Sequence, residues 1–122
     1  RKVARAAAER LVPVFLELGG KDPLIVLPDS DLERATDAAL RASVQATGQA
    51  CQSIERVYVH DSQHDAFVDL LVAKAQALAL NTPNIRQGHL GPIIFDRQAE
   101  VIAAQLADAI ARGACVRTGG QV

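Results

Sequence analysis

The sequence predicts an α/β fold built on a parallel sheet. Short apolar segments that suit strands alternate with longer segments whose apolar residues recur at helical spacing. The segment from Pro23 to Leu27 is continuously apolar, which is typical of a parallel strand buried on both faces. The segment from Glu55 to His60 alternates, with Val57 and Val59 on one face. Because helical segments lie between the strands, we expect helices to pack on a parallel sheet.

The N-terminal part of the chain is predicted to hold a helix, a short strand and a sharp break. The helix covers Lys2 to Leu11, and Pro13 stops it because proline lacks the N–H that a helix interior needs. Val14 to Leu18 is predicted to be a short strand. Gly19 and Gly20 follow it, and we expect a close backbone approach there, which side chains would obstruct.

Cap and stop signals mark the boundaries of the remaining helices. The predicted signals are a capping box of Ser30 with Glu33, a stop at Gly48, a second box of Ser62 with Asp65, a cap at Asp96 and a stop at Gly113. The segment from Asn81 to Leu90 is predicted to be a polar loop. Ala114 to Arg117 is predicted to start another strand.

Composition argues against several classes of function. Thirteen basic and fourteen acidic residues among 122 give a net charge of −1, so we expect no nucleic acid and no membrane partner. Three Phe and one Tyr are too few for a base-stacking platform. No apolar run approaches the roughly 18 residues that span a bilayer, and no signal peptide is visible. Two cysteines make no disulfide framework, so the natural interpretation is a reduced cytoplasmic protein.

Two short segments carry the candidate chemistry. Glu17 lies within the otherwise apolar segment from Val14 to Leu18, which leads into the glycine pair. Cys51 follows Gly48-Gln49-Ala50, 34 positions after Glu17. A thiol can attack a carbonyl carbon, and a carboxylate can take up a proton or activate water. A lone cysteine is more often a small buried hydrophobe, but polar neighbours place Cys51 in a loop, where catalytic groups concentrate.

These segments resemble the aldehyde dehydrogenase family. The family's Glu-Leu-Gly-Gly-Lys matches residues 17–21, and its Gly-Gln-x-Cys matches residues 48–51. Further matches follow in the family's order and spacing: Asp29 to Ala35, Glu55 to Val59, Gly91-Pro92, Gln98, Gly113-Ala114 and Gly119-Gly120. The chain departs from the family's pattern at Gln52-Ser53 beside the thiol, and at Val101, where the family often has a lysine.

The resemblance implies oxidation of an aldehyde to a carboxylic acid with NAD or NADP. Cys51 would be the nucleophile, which forms a thiohemiacetal and then a thioester. Glu17 would be the general base for hydrolysis of the thioester, and the backbone N–H of Cys51 would help to stabilise the oxyanion. In the family, the residue matching Leu18 holds the nicotinamide carboxamide through its backbone carbonyl, and the glutamine matching Gln98 contacts the cofactor ribose.

The resemblance also implies a domain boundary and a larger protein. Residues 1–19 would be the C-terminal end of a nucleotide-binding domain, and residues 20–122 the N-terminal part of a catalytic domain. The chain would then be a fragment of a longer protein that acts on a small aldehyde and forms a homo-oligomer. The segment from Glu55 to Val59 also resembles family members that act on semialdehydes.

Two alternatives remain open on the sequence. One is a non-catalytic fragment or paralogue of the same fold, and the presence of both Glu17 and Cys51 argues against it. The other is an acylating form that passes the thioester to coenzyme A, although such forms often lack the family's general-base glutamate. Elsewhere, Cys115 is expected to be a buried structural residue. His60 and His64 are expected to be solvated and to lack metal-ligand spacing.

Overall fold

The computed structural model describes residues 1–82, 84 and 86–121, and it confirms an α/β fold with a parallel sheet. The elements are, in chain order, α1 (Lys2–Glu9), β1 (Asp22–Val26), α2 (Leu32–Val44), β2 (Ile54–Val59), α3 (His64–Gln76) and α4 (Asp96–Ala111). Two short 3-10 helices, Gln45–Gly48 and Asp61–Gln63, precede β2 and α3.

The sheet consists of β1 and β2, which are joined by a crossover through α2. Asp22 pairs with Ile54 and Val26 with Val59, and the register is irregular between Asp22 and Pro23. Parallel strands need a long connection because the chain must return to the starting edge of the sheet, and a helix is the usual solution. The crossover therefore accounts for the position of α2 between the two strands in sequence.

The core lies where α2 and α3 pack against one face of this sheet. Its buried apolar residues, among those described, are Val26, Ala39 and Phe67. The partly buried residues that pack against them are Leu24, Leu32, Ala35, Val57, Val59 and Leu71. Ile25 points to the other face and is 66% exposed. The prediction that β1 is buried on both faces is therefore wrong, because no described element covers that second face.

The N-terminus of α2 is capped one residue later than predicted. Asp31 is the cap, and its Oδ1 accepts a hydrogen bond from the backbone N–H of Arg34 at 3.1 Å. Ser30 instead accepts from the N–H of Leu27 at 3.0 Å and closes the turn after β1. Serine and aspartate are both good cap residues. Which of two neighbouring candidates caps the helix therefore depends on where the backbone enters it.

The second predicted capping box does not form. Asp61–Gln63 is a 3-10 helix, and α3 begins at His64 without a side-chain cap. The N–H of Ser62 donates to Nδ1 of His60 at 3.3 Å. The imidazole therefore takes the acceptor role that the sequence assigned to the serine hydroxyl.

The sequence predicted the C-terminal end of α4 correctly but not its N-terminal cap. The helix begins at Asp96, but that residue is its first helical position, and Phe95 at the cap position offers no side-chain bond. The C-terminal stop at Gly113 is confirmed. Gly113 has φ 94°, and its N–H donates to the carbonyl oxygen of Ile110 at 2.9 Å, as expected for a glycine after a helix.

Two predicted strands are absent from the described residues. Neither Val14 to Leu18 nor Ala114 to Arg117 forms a strand, and both segments are exposed throughout. No described strand lies beside either segment. An isolated strand would leave its backbone hydrogen-bonding groups unpaired. An apolar segment therefore forms a strand only where a neighbouring strand can pair with it.

The first helix is shorter than predicted. α1 ends at Glu9, two residues before the predicted end. Within the predicted loop from Asn81 to Leu90, Pro83 and Ile85 lie outside the described residues. Of the helices in the described part of the chain, none is long and apolar enough to cross a membrane.

Candidate active site

The strand register brings the two candidate segments to the same edge of the sheet. β1 begins at Asp22, just after the glycine pair. β2 begins at Ile54, just after the cysteine turn, which comprises residues 45–51. Asp22 and Ile54 are paired in the parallel ladder. The residues that precede the two strands therefore lie side by side at the amino edge of the sheet, although they are far apart in sequence.

Gly20 lies directly against the backbone of Cys51. A β-carbon at Gly20 would collide with the carbonyl oxygen of Cys51 and would lie 2.8 Å from Oδ1 of Asp22. This confirms the predicted close approach at Gly20. A β-carbon at Gly19 would meet no heavy atom within 4 Å beyond its chain neighbours. The steric need for glycine therefore belongs to Gly20 alone.

The turn before Cys51 has an unusual backbone. α2 ends at Val44 and not at the predicted Gly48, and the chain continues as the 3-10 helix Gln45–Gly48. Within it, Ala46 and Thr47 have φ values of 52° and 60°. Residues with a β-carbon seldom adopt this left-handed conformation, so surrounding contacts must hold it in place.

The thiol of Cys51 is exposed and lines an open cleft. Its Sγ lies 3.1 Å from Oε1 of Gln52, to which the thiol can donate a hydrogen bond. The cleft has a volume of about 760 Å³, and Leu18, Phe95 and Gln98 also line it. The structure therefore brings together three of the four residues singled out from the sequence, which lie on three separate segments of the chain.

Glu17 lies beside this cleft without lining it. The residue is exposed, and its neighbour Leu18, which is 85% exposed, does line the cleft. The carboxylate is thus accessible to water next to the site.

A polar connection that the sequence did not predict joins the segment after the glycine pair to β2. Lys21 forms an ion pair with Glu55 through Nζ and Oε2. Nη2 of Arg56 donates to the backbone carbonyl of Lys21 at 2.8 Å. Both members of the ion pair are partly exposed, so it contributes little to stability. The ion pair instead affects the site itself, because Glu55 lines the cleft and Lys21 fixes the position of its carboxylate.

Gln49 is a second site residue that sequence reasoning missed. Its side chain bonds to the backbone of Pro92 and of Ile94, and the hydroxyl of nearby Thr47 accepts from the N–H of Gly91. The only sequence signal for Gln49 is its place in the Gly-Gln-x-Cys motif. Its partners lie on the segment before α4 and become neighbours only in the folded chain.

The other candidate residues lie outside the cleft. Cys115 is exposed, so the prediction of a buried structural cysteine is wrong; its segment forms no strand that would bury it. His60 and His64 are exposed, as expected, and each ring bonds to a nearby polar side chain, Ser62 or Asp65. Within the described ranges, no group of three or more His, Cys, Asp or Glu residues is placed to hold a metal ion.

Known proteins resemble this chain both in sequence and in structure. The model of the aldehyde dehydrogenase family matches residues 1–122. The succinate-semialdehyde dehydrogenase [NADP(+)] of Mycolicibacterium paratuberculosis is 40% identical over 121 residues, which are 99% of this chain and 26% of that protein.

Solved structures superimpose closely on the chain. PutA from Anabaena variabilis has a TM-score of 0.93 at 48% identity, over 100% of this chain and 26% of that one. The NAD+ complex of an aldehyde dehydrogenase from Bacillus cereus has a TM-score of 0.88 at 34% identity, over 98% of this chain and 24% of that one. The chain thus spans about a quarter of the length of these relatives. With a family model matched from end to end, the chain belongs to the aldehyde dehydrogenase family.

Proposed function

We propose that the full-length protein containing this chain oxidises an aldehyde to a carboxylic acid, with NADP or NAD as the hydride acceptor. The observation that carries the proposal is the cleft shared by Cys51, Leu18 and Gln98. Membership of the family supports the reaction class. The relative from Mycolicibacterium paratuberculosis is named for NADP(+), and the Bacillus cereus enzyme was solved with NAD+.

The described residues suit the nicotinamide end of such a cofactor. A cleft of about 760 Å³ has the volume of a typical ligand site. At Gly20 the backbone lies against the cysteine turn with no space for a side chain. The carbonyl of Leu18 offers an acceptor and the amide of Gln98 offers both a donor and an acceptor. Once bound, the cofactor would supply the hydride acceptor.

In the proposed reaction, Cys51 and Glu17 perform successive steps. The Cys51 thiolate adds to the aldehyde carbon, and its backbone N–H helps to stabilise the oxygen of the resulting thiohemiacetal. Loss of hydride from that carbon leaves a thioester. Glu17 then takes a proton from water, whose oxygen attacks the thioester carbon. The C–S bond breaks, the carboxylic acid leaves and the Cys51 thiolate is restored. Glu17 then releases its proton to solvent, which regenerates the base.

The presence of Glu17 supports water as the acyl acceptor. Acylating members of the family often lack this glutamate, so its presence favours hydrolysis over transfer to coenzyme A. The combination of Glu17 with an accessible Cys51 thiol also favours an active enzyme over a non-catalytic paralogue.

The proposal extends to the protein around the chain. Residues 1–19 end a nucleotide-binding domain, and residues 20–122 begin the catalytic domain of a homo-oligomeric enzyme. Its substrate is a small aldehyde, with a semialdehyde suggested by the name of the Mycolicibacterium relative. Both cysteines are free thiols, which supports a reducing compartment such as the cytoplasm.

The test uses the purified full-length protein with succinic semialdehyde or a short aliphatic aldehyde, each with NADP+ or NAD+. Absorbance of the reduced cofactor reports turnover. We expect turnover with at least one pair of substrates, its loss in Cys51→Ala and its retention in the matched control Cys115→Ala. No turnover by the wild type with any pair, or undiminished turnover by Cys51→Ala, would contradict the proposal.

A further inference from the structure

The side chain of Gln49 bridges the cysteine turn and the segment before α4. Its Nε2 donates to the carbonyl oxygen of Pro92 at 3.1 Å, and its Oε1 accepts from the N–H of Ile94 at 2.9 Å. These partners lie 43 and 45 positions further along the chain. Both are backbone groups, so they cannot turn away as a flexible side chain can. The amide therefore holds two stretches of backbone at a set separation.

Thr47 adds a third bond between the same two stretches. Its Oγ1 accepts from the N–H of Gly91 at 3.1 Å. A β-carbon at Gly91 would lie 3.4 Å from that hydroxyl oxygen, so the two stretches are nearly in contact here. Thr47 is also one of the residues with a left-handed backbone. The conformation of the turn and the position of residues 91–94 are thus linked through one side chain.

These bonds matter because α4 is otherwise loosely attached. None of its residues is buried. Beyond its C-terminal end, Arg117 forms an ion pair with α3 at 2.9 Å. Ahead of its N-terminal end, the bonds of Gln49 and Thr47 hold residues 91–94, which lead directly into the part of α4 that carries Gln98. The position of Gln98 relative to the cysteine turn therefore depends on these side chains.

We infer that Gln49 is a positioning residue that sets the separation of Cys51 and Gln98 across the cleft. The inference rests on the proposed function, in which Cys51 binds the aldehyde and Gln98 contacts the cofactor. Hydride transfer needs the reacting atoms in a near-attack geometry, and a displacement of about 1 Å can cost about 100-fold in rate. Gln49 also lines the cleft, but the role inferred for it runs through its bonds to the backbone of Pro92 and Ile94.

The test compares three variants of the full-length protein. Gln49→Met keeps the length of the side chain and removes both hydrogen bonds. Gln49→Glu keeps the acceptor for the Ile94 N–H and loses the donor to Pro92. Gln76→Met makes the same chemical change at an exposed position of α3 outside the cleft. Each protein is measured by hydrogen exchange, by steady-state kinetics and by alkylation of Cys51 with iodoacetamide.

We expect Gln49→Met to raise the exchange rate of the Ile94 amide about tenfold or more, because a side-chain bond protects it. The kcat should fall and the KM for the cofactor should rise, lowering kcat/KM for the cofactor by about 10–100-fold. Alkylation of Cys51 needs no cofactor, so its rate should stay within about threefold. Gln49→Glu should retain protection of Ile94 and lose less activity than Gln49→Met, and Gln76→Met should match the wild type.

Other results would overturn either the hydrogen-bonded bridge or the positioning role of Gln49. Unchanged exchange at Ile94 in Gln49→Met would overturn the bridge. Faster exchange with unchanged kcat and cofactor KM would overturn the positioning role, as would equal losses in alkylation and turnover, because Gln49 would then support only the thiol. A wild-type protein without turnover would contradict the proposed function instead, and the exchange measurement would still decide whether the bridge exists.

Discussion

Gly20 and the carbonyl oxygen of Cys51 are so close that no β-carbon fits between them. The obstacle is backbone, so no rotation of a side chain can relieve a clash at this point. The contact holds the glycine pair, and with it Leu18, against the turn that carries the thiol. Two strands in parallel register create it by starting at the same edge of the sheet.

Gly20→Ala should therefore lower the activity of the full-length protein. The Cys51 backbone has to move to admit the methyl group, and we expect kcat/KM to fall by about 10–100-fold. Gly19→Ala is the matched control, since nothing beyond its chain neighbours lies within 4 Å of the added β-carbon. Steady-state kinetics and thermal unfolding of both variants check this prediction. Equal kinetic effects of the two substitutions would contradict it.

Phe67→Ala should severely destabilise the 122-residue chain. Phe67 is 1% exposed in a core with few other buried residues, and removal of a buried Phe costs about 3–5 kcal/mol. Phe15 is 93% exposed, so Phe15→Ala should change the free energy of unfolding by less than about 0.5 kcal/mol. Urea unfolding followed by circular dichroism gives both values. Similar midpoints for the two variants would argue against this core.

The stability of the chain should also depend on Lys74 at alkaline pH. Its Nζ lies 2.5 Å from Oδ1 of Asp37 and 2.8 Å from Oε2 of Glu33. The hydrogen bond to Asp37, followed by that to Glu33, raises the pKa of Lys74 above its usual 10.5. A raised pKa in the folded state stabilises the fold fully below the unfolded pKa, and this stabilisation is lost as the pH rises through the folded pKa.

The free energy of unfolding should thus carry a constant contribution from Lys74 at neutral pH and lose it above pH 10.5. Lys74→Met lacks the titrating group, so its difference from the wild type should shrink as the pH rises through that range. Urea midpoints measured from pH 7 to 11.5 for both proteins provide the comparison. A difference that stays constant or grows with pH would refute the assignment.

Features with a local cause were predictable from the sequence. β1 follows from an apolar run of strand length and β2 from an alternating one. The stop at Gly113 follows from the need for a positive φ. The close approach at Gly20 followed from the glycine pair. Where two neighbouring residues offered the same chemistry, as Ser30 and Asp31 do at the start of α2, the sequence did not distinguish them.

Features that depend on distant partners were not predictable. The segment from Val14 to Leu18 is apolar enough for a strand, but a strand exists only beside another one. The ion pair of Lys21 with Glu55 spans 34 positions, and the bonds of Gln49 span still more. The resemblance to the family predicted that Cys51 and Gln98 belong to one site. The register of β1 and β2 explains physically how the glycine pair meets the cysteine turn.

In the proposed reaction, Cys51 carries an acyl thioester that Glu17 helps water to hydrolyse. Mass spectrometry of the full-length Glu17→Gln variant can detect this thioester. The variant is mixed with aldehyde and NADP+ or NAD+, quenched in acid and digested. Because hydrolysis is slowed, the peptide with Cys51 should gain the mass of the acyl group after a burst of reduced cofactor, while the peptide with Cys115 stays unmodified. A burst of reduced cofactor without acylation of Cys51, or steady turnover as fast as in the wild type, would rule out this reaction of Cys51 and Glu17.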